Sequence, residues 1–281
     1  MAIFQNQATI TYGGVTRTSN VVTGEYTEAL TMTKTPVVDT YAAGGTVTYL
    51  VSLVNSGANA LEGIVLTDDL GGYAVTGGTA YPLTYEADSL VYTVNGVVQT
   101  APTVNAGPPM TVGPISVPAG GNALVAYRVQ INDYAPLAAG STIVNTVTAA
   151  GGGAVEQITA SATVTVVEAA DLSITKGISP AVVGQDGAVT YTFRIENLGN
   201  APIGEADDLV LTDAFAPVLS DISVTMNGAP LPAEDYDYSG GVFATVAGAV
   251  TVPAATYETD PATGLVSVTP GVTLLTVSGT I

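Results

Sequence analysis

Hydrophobic and polar residues alternate along most of the chain, and this alternation predicts β-strands. In residues 46–54 (TVTYLVSLV) and 189–195 (VTYTFRI), β-branched and aromatic side chains alternate with polar ones. That period of two is typical of a strand with one buried face. Glycine-containing turns, such as those at 95–96 and 227–228, follow at short intervals, and no segment sustains a helical period. The pattern predicts an all-β protein.

The chain also contains an internal repeat. Short motifs recur in the same order, and the spacing after each lysine is the same in both copies up to an Asn-x-Gly turn. The matching pairs are 31–34 (TMTK) with 173–176 (SITK), Tyr49 with Tyr191, Asn55 with Asn197, and 65–68 with 210–213 (both VLTD). Such agreement indicates a duplicated antiparallel sandwich of about 100 residues or more.

The two repeats differ in how they finish. The first continues into two more strands, at 141–148 and 160–166, which we call the closing hairpin, whereas the second stops at Ile281. Residues 4–12 and 18–23, on either side of a two-glycine turn, have the sequence of the same hairpin. The chain is therefore expected to begin with the closing hairpin of a preceding unit and to end with a unit that lacks one.

The repeated motifs bear a family resemblance. The run DLSITK at 171–176, then G-x-VTYT-x-x-x-x-N-x-G at 187–199, then LTD, with VNTVT in the first copy, resembles a repeat domain of bacterial and archaeal surface proteins, the "domain of unknown function 11" family. The likeness covers roughly residues 31–281. It implies immunoglobulin-like sandwiches used in tandem on cell surfaces, usually within much longer secreted chains. The short length, the absence of a visible signal peptide and the permuted ends depart from that pattern.

Together these observations predict the architecture. We expect two tandem immunoglobulin-like antiparallel sandwiches, the C-terminal one without its closing hairpin, preceded by an N-terminal donor hairpin. The predicted boundaries are 1–24 for the donor hairpin, 25–168 for the first sandwich, called unit one, and 169–281 for the second, called unit two.

Composition excludes many functions. The 281 residues include no Cys, His or Trp, so the chain has no thiol or imidazole catalyst and no Cys/His zinc site. With 24 acidic against 5 basic residues, the formal charge of −19 repels phosphate backbones, and nucleic acid is not an expected partner. No window approaches 18 consecutive apolar residues, so no membrane span is expected.

The two lysines of the chain occupy the same position of the repeat. Lys34 and Lys176 each lie in the first core strand of a unit, and the recurring Asp68 or Asp213 follows. In unit one the closing hairpin adds Asn145. Since the first and last strands of a sandwich can lie side by side, Lys34, Asp68 and Asn145 are expected to meet in the core.

This trio resembles the self-forming isopeptide sites of Gram-positive adhesin and pilin domains. The resemblance implies an amide between Lys34 and Asn145, with Asp68 as the catalytic acid, formed once with release of ammonia. Burial lowers the pKa of a lysine and raises that of a carboxyl, and fixed proximity accelerates the attack. The alternative is a buried Lys–Asp ion pair with Asn145 as a hydrogen-bonding strand residue.

The predicted function combines these features. If Asn6 is the counterpart of Asn145, insertion of the donor hairpin into a neighbouring subunit would place it beside Lys176 and Asp213, with Asp213 as the catalyst. An unfinished sandwich exposes an unpaired edge, and a head-to-tail contact that does not close gives filaments. We expect a structural subunit of an extracellular, cell-surface or spore-surface fibre, whose partner is another copy of itself.

The acidic residues of the chain suggest two other classes of function. A monomeric adhesin or spacer, or a module that binds calcium or carbohydrate, is the main alternative, because acidic residues cluster at 205–208 and 234–237. Neither stretch has the spacing of a known calcium loop. Neighbouring acids such as Glu86 and Asp88 make a carboxylate enzyme a third class. We expect no cofactor, no bound metal, no small-molecule substrate and no enzymatic turnover.

Overall fold

The computed structural model describes residues 2–26, 29–152, 157–185 and 187–281, so Met1 of the predicted donor hairpin lies outside the described residues. The strands before unit two are β1 (Ala2–Asn6), β2 (Thr9–Tyr12), β3 (Val15–Thr18), β4 (Val22–Tyr26), β5 (Leu30–Pro36), β6 (Thr40–Tyr41), β7 (Thr46–Asn55), β8 (Leu61–Asp68), β9 (Tyr73–Val75), β10 (Gly78–Ala80), β11 (Leu83–Tyr85), β12 (Val91–Val94), β13 (Val97–Val98), β14 (Thr103–Asn105), β15 (Met110–Val117), β16 (Asn122–Ile131), β17 (Thr142–Ala150) and β18 (Ile158–Val166).

Unit two continues the numbering. Its strands are β19 (Leu172–Ser179), β20 (Ala188–Asn197), β21 (Thr212–Ala214), β22 (Ser220–Met226), β23 (Ala229–Pro230), β24 (Tyr236–Ser239), β25 (Val242–Thr245), β26 (Thr256–Thr259), β27 (Val266–Thr269) and β28 (Gly271–Thr280). Two 3₁₀ turns, Glu205–Asp207 and Ala233–Asp235, are the helical elements of the described residues, and neither is long enough to span a membrane. The all-β prediction is confirmed.

Unit one is a sandwich of two six-stranded sheets. One sheet has the order β13-β12-β16-β7-β5, with β11 also on β16, and the other has the order β14-β15-β8-β17-β18-β6. The inward side chains of β7 and β16 are fully buried at every second position, because the alternation in the sequence matches the pleat. The closing hairpin, β17 and β18, lies between β8 and β6, and β5 of the opposite sheet packs beside it.

Unit two repeats only part of this sandwich. Its first sheet, β19-β20-β28-β22-β23, matches the first sheet of unit one, but the second contains only β21-β25-β24. Among the described residues of unit two, no strands correspond to β17 and β18. A separate apolar core still forms, with Phe243, Leu275 and Val277 fully buried.

The N-terminal hairpin, residues 2–26, forms its own two-stranded ladders. β1 pairs with β4, and β2 pairs with β3 around the turn at 13–14. A break at residues 7–8 separates the two ladders, which the sequence did not predict. Its apolar side chains Phe4 and Ile10 are 59% and 64% exposed, so the hairpin lacks the core contacts of a strand in a sandwich.

The two units contact each other through the hairpin β26–β27. Its turn at 260–264 reaches unit one, where the backbone N–H groups of Thr76 and Gly77 donate hydrogen bonds to it. Gly264, with a φ of +80°, packs against Ala80, and a side chain at that position would collide with unit one. The N–H of Val266 also donates to unit one. The units are therefore joined by more than the linker between them.

Candidate functional site

A buried ion pair lies in the core of unit one. Lys34 follows Leu30 at an inward position of β5, and Asp68 is the last residue of β8 in the opposite sheet. The Nζ atom of Lys34 lies 2.7 Å from Oδ2 of Asp68, and the two side chains are 0% and 2% exposed. Burial of a charged pair is costly unless its remaining polar atoms are also bonded.

The carboxylate of Asp68 has two further donors. The hydroxyl of Tyr127 donates to Oδ2, and the backbone N–H of Leu70 donates to Oδ1 at 2.9 Å. The Lys34 ammonium lies over the Tyr49 ring, 4.8 Å from its centroid, and 6.0 Å from that of Tyr127. These contacts fix the carboxylate and the lysine in one orientation.

Burial shifts the pKa values of the lysine and of the two tyrosines around it. Desolvation lowers the pKa of Lys34 from its usual 10.5, although the neighbouring Asp68 acts in the opposite direction. Desolvation also raises the pKa of Tyr127 well above 10, and that of Tyr49 in the same direction. Both hydroxyls therefore remain protonated, while Lys34 gives up its proton more easily than an exposed lysine.

Asn145 completes the group, and its side-chain amide has no hydrogen-bond partner among the described residues. It lies on β17 with 0% exposure, two residues before Val147, which pairs with Asp68 across the sheet. Its amide lies close enough to the hydroxyls of Tyr49 and Tyr127 to moderate the rise in their pKa, yet neither Nδ2 nor Oδ1 has a hydrogen-bond partner. An unsatisfied buried amide is costly. The structure thus places Asn145 beside the lysine's aromatic surround, and both the amide and the hydrogen-bonding alternative stay predictions.

The corresponding pair of unit two is open to solvent. Lys176 and Asp213 form an ion pair, but their side chains are 40% and 17% exposed. The ammonium lies over aromatic rings, with centroids 4.6 Å away for Tyr191, 5.5 Å for Phe193 and 5.3 Å for Phe215. The pair thus repeats the lysine, the carboxylate and an aromatic surround, without the cover that β17 and β18 provide in unit one.

Two groups of the unit-one site have no equivalent in unit two. Tyr191 pairs across the sheet with Val277, in the register that joins Tyr49 to Tyr127, so valine replaces the tyrosine that donates to Asp68. The described residues of unit two also place no asparagine where Asn145 lies. Asn6 is on the exposed face of the N-terminal hairpin, where it pairs with Val22, and no hydrogen bond joins it to Lys176 or Asp213 in the described chain.

An apolar groove marks the position of the absent strands. It has a volume of about 270 Å³ and lies between β19 and the segment before β21. Its lining residues are Leu172, Ser173, Ile174, Ile195, Leu209, Val210, Leu211 and Thr212. In unit one the counterparts of Leu172 and Ile174, Leu30 and Met32, belong to the closed core instead.

Tyr127 is the functional residue that sequence reasoning missed. Its position in the alternating strand β16 predicts only an inward side chain, and the repeat offers no matching tyrosine because Val277 stands there. The pairing of β16 with β7 would have been needed to place it beside Tyr49. Both tyrosines are more than core residues, since their rings and hydroxyls surround the lysine and Asn145.

The acidic stretches do not assemble a metal site in the described chain. The two stretches form 3₁₀ turns, and Asp207 accepts a hydrogen bond from the N–H of Gly204. No group of three or more acidic side chains suited to a metal ion occurs among the residues described. Glu86 is engaged by Arg128, whose Nε lies 2.9 Å from its Oε2.

Comparisons with known proteins give weak likenesses. No family model matches the chain, so the resemblance to the surface repeat family stays a prediction, and no curated protein matches it. The chain is similar to the major pilin subunit BcpA of Bacillus cereus, in its D312A form, at 12% identity and a TM-score of 0.38, over 87% of this chain and 63% of that one. It is also similar to the collagen adhesin CNA of S. aureus, at 15% identity and a TM-score of 0.31, over 56% of this chain and 55% of the adhesin. The chain therefore spans less than two thirds of either relative, and likenesses of this strength do not assign a function.

Proposed function

We propose that the protein is a structural subunit of a homopolymeric surface fibre. In this proposal the N-terminal hairpin of one subunit inserts into unit two of the next, in the place that β17 and β18 fill in unit one. One observation carries it: unit two has an open apolar groove where unit one has its closing hairpin, and the chain carries an exposed hairpin whose β1–β4 ladder is antiparallel, like that of β17 and β18.

The energetics favour pairing of these two surfaces. The groove exposes Leu172 and Ile174, and the hairpin exposes Phe4 and Ile10. Burial of such side chains yields about 1.5–3 kcal/mol each, and strand addition satisfies the unpaired backbone groups of an edge. Because the donor and the acceptor are different surfaces, each addition leaves another donor and another acceptor free, and the assembly grows as a filament.

Unit one is proposed to be locked by an amide between Lys34 and Asn145. The lysine passes a proton to Asp68, and its neutral amine attacks Cγ of Asn145. The new C–N bond forms as the Cγ–Nδ2 bond breaks. Of the three ammonium protons, one stays on the amide, one leaves with the ammonia, and one remains on Asp68. The unpartnered amide of Asn145 supports this proposal, since Nδ2 is the group that departs.

Electron microscopy tests the assembly. The full chain is expected to form filaments, and a variant without residues 1–24 is expected to stay monomeric with unit one folded, because unit one contains its own closing hairpin. Circular dichroism checks that the truncated protein is folded. Filaments from the truncated protein, or concentration-independent monomers from the full chain, would contradict the proposal, and the second result would favour a monomeric spacer or adhesin.

Mass spectrometry tests the amide of unit one. The intact mass is expected to be lower than the sequence mass by one ammonia for that bond, and trypsin is expected to leave the Lys34–Thr35 bond uncut because an acylated lysine is not a cleavage site. Asp68→Ala should restore both the mass and the cleavage. An unchanged mass in the wild-type protein would exclude the bond.

A further inference from the structure

Unit two holds half of a reactive site. Lys176 and Asp213 are paired as Lys34 and Asp68 are, and three aromatic rings surround the ammonium. The component that the described residues of unit two do not supply is the carboxamide. In unit one the carboxamide belongs to Asn145 on β17, and the described residues of unit two contain no counterpart of that strand. A strand supplied from elsewhere could therefore provide both.

The N-terminal hairpin presents a carboxamide at the matching position. In the closing hairpin Asn145 pairs with Ala162, and Ile143, two residues earlier, pairs with Val164. In the N-terminal hairpin Asn6 pairs with Val22, and Phe4 pairs with Gly24. The two hairpins therefore superpose residue by residue around the asparagine. Side chains of paired residues lie on one face of a hairpin, so Phe4 and Asn6 point to the same side.

The cross-strand pair next to the asparagine differs in side-chain size between the two hairpins. Ile143 and Val164 are medium-sized and fully or almost fully buried. Their counterparts are the large Phe4 and Gly24, and a Cβ atom on residue 24 would overlap the Phe4 ring. The Phe4 ring therefore lies across the partner strand at residue 24, and a side chain there would require the ring to move.

The groove of unit two has a matching residue on the hairpin. In unit one Ala149, four residues after Asn145, pairs with Leu66 of β8. The counterpart of Ala149 is Ile10, and the counterpart of Leu66 is Leu211, which lines the groove. Ile10 is larger than Ala149, and the groove offers an open apolar space for it. In the free subunit Ile10 is 64% exposed. Seating of Ile10 in this groove would bring the hairpin alongside β19, which carries the lysine.

We propose that docking of the hairpin joins adjacent subunits by an amide between Asn6 of one copy and Lys176 of the next, with Asp213 as the proton carrier. This inference rests on the proposed mode of assembly. Lys176 transfers a proton to Asp213, its amine attacks Cγ of Asn6, the C–N bond forms, and the Cγ–Nδ2 bond breaks with loss of ammonia. As in unit one, one proton remains on the aspartate.

Docking also controls when this bond forms. In the free subunit the Lys176 side chain is 40% exposed, so water has access to the ion pair. Insertion of the hairpin covers the pair and delivers the carboxamide in one step. The crosslink is therefore confined to assembled joints, whereas the amide of unit one forms within each chain.

Complementary variants test the inference with the full-length protein. One variant, Asn6→Ala, keeps the acceptor, and the other, Lys176→Met, keeps the donor. Each alone is expected to give only monomers after boiling in detergent. A mixture is expected to give a covalent dimer and nothing larger. The one Asn6 and the one Lys176 that the two chains contain are both used in the joint, so the dimer cannot add a third subunit. Asn20→Ala, on the same exposed hairpin, is the matched control and should retain the ladder of multimers of the wild type.

Peptide mapping identifies the bond. Trypsin is expected to release residues 1–17 joined to 129–194 from wild-type multimers, with Lys176–Gly177 uncut. Because Asn145 lies in the second peptide, the amide of unit one also joins 18–128 to it, and one ammonia is lost for each of the two bonds. Wild-type filaments that dissociate completely to monomers in boiling detergent would overturn the amide while leaving the assembly intact. Absence of filaments in electron microscopy would instead overturn the assembly. A crosslink between two subunits that does not involve Asn6 would also overturn the assignment.

Discussion

The two units carry the same lysine, aspartate and aromatic side chains, but in different surroundings. In unit one the pair is sealed by β17 and β18 and bonded to Tyr127, and Asn145 lies in the same pocket without a hydrogen bond. In unit two the pair is partly exposed, Val277 stands at the position of Tyr127, and the described residues place no carboxamide at that of Asn145. The comparison shows that one hairpin, β17–β18, both shields the lysine–aspartate pair from solvent and carries the asparagine beside it.

The largest difference is expected when the aspartate is removed from each unit. Asp68→Ala leaves Lys34 buried without a counter-charge, which costs about 3–5 kcal/mol, and it also prevents an amide that closes a loop of roughly 110 residues, by analogy with a disulfide worth about 4–5 kcal/mol. Asp213→Ala should cost about 0–1 kcal/mol in the monomer, because its pair is partly exposed. Urea unfolding of both variants measures this. Equal losses would contradict the comparison.

Matched alanine substitutions in the two hairpins are expected to have different effects, one on the stability of the monomer and the other on the filament joint. Ile143→Ala removes a buried side chain and should lower the free energy of unfolding of the monomer by about 2–5 kcal/mol. Phe4→Ala should leave the monomer within about 0.5 kcal/mol, since Phe4 is exposed, but should weaken the filament joint by about 3–5 kcal/mol. Unfolding of dilute monomer measures the first effect, and the critical concentration for filaments, in a Lys176→Met background that cannot form the joint amide, measures the second. An unchanged critical concentration would show that Phe4 is not buried at the joint.

Tyr127→Phe makes the unit-one site more like that of unit two. Loss of a hydrogen bond to a charged group should cost about 1.5–3 kcal/mol and slow the formation of the Lys34–Asn145 amide. Tyr191→Phe in unit two is the control, expected to change stability by less than about 0.5 kcal/mol. The fraction of protein that has lost ammonia is followed by mass spectrometry after synthesis. An unchanged rate would remove Tyr127 from the reaction.

The smallest effect is a pH dependence of stability in Asn145→Ala, which cannot form the amide of unit one. The pKa of Lys34 is lower in the folded chain than its ordinary 10.5, so the unfolded chain binds more protons between those two values and stability rises with pH there. Above pH 10 the sign reverses, because burial raises the pKa of Tyr41 to about 12 and also raises those of Tyr49 and Tyr127. Denaturant titrations from pH 8 to 11 should show a maximum. The same variant with Lys34→Met should lose the rising limb.

Much of this fold could be predicted from the sequence. The period of two along β7 and β20 gives the strands, and the repeated motifs align Lys34 with Lys176 and Asp68 with Asp213. Both pairs are close in the structure as expected. Local alternation is sufficient for these predictions, because it reports which face of each strand is buried.

The remaining features depend on contacts between strands that are distant in sequence. The hydrogen bond from Tyr127 to Asp68 needs the pairing of β16 with β7 and the stacking of two sheets. The break at residues 7–8 of the N-terminal hairpin depends on a shift of register between its two ladders. Neither feature leaves a periodic signal, so inspection of one chain does not reveal it.

The hairpin β26–β27 has a consequence for the appearance of any filament. Its turn is held by the backbone N–H groups of Thr76 and Gly77, and the hydroxyl of Tyr73 donates to Gly264 at 3.0 Å. No corresponding hairpin joins the described residues of the N-terminal hairpin to unit one. The junction inside a subunit and the junction between subunits are therefore chemically different, and the axial repeat seen in averaged images should contain two sandwiches joined by two kinds of contact.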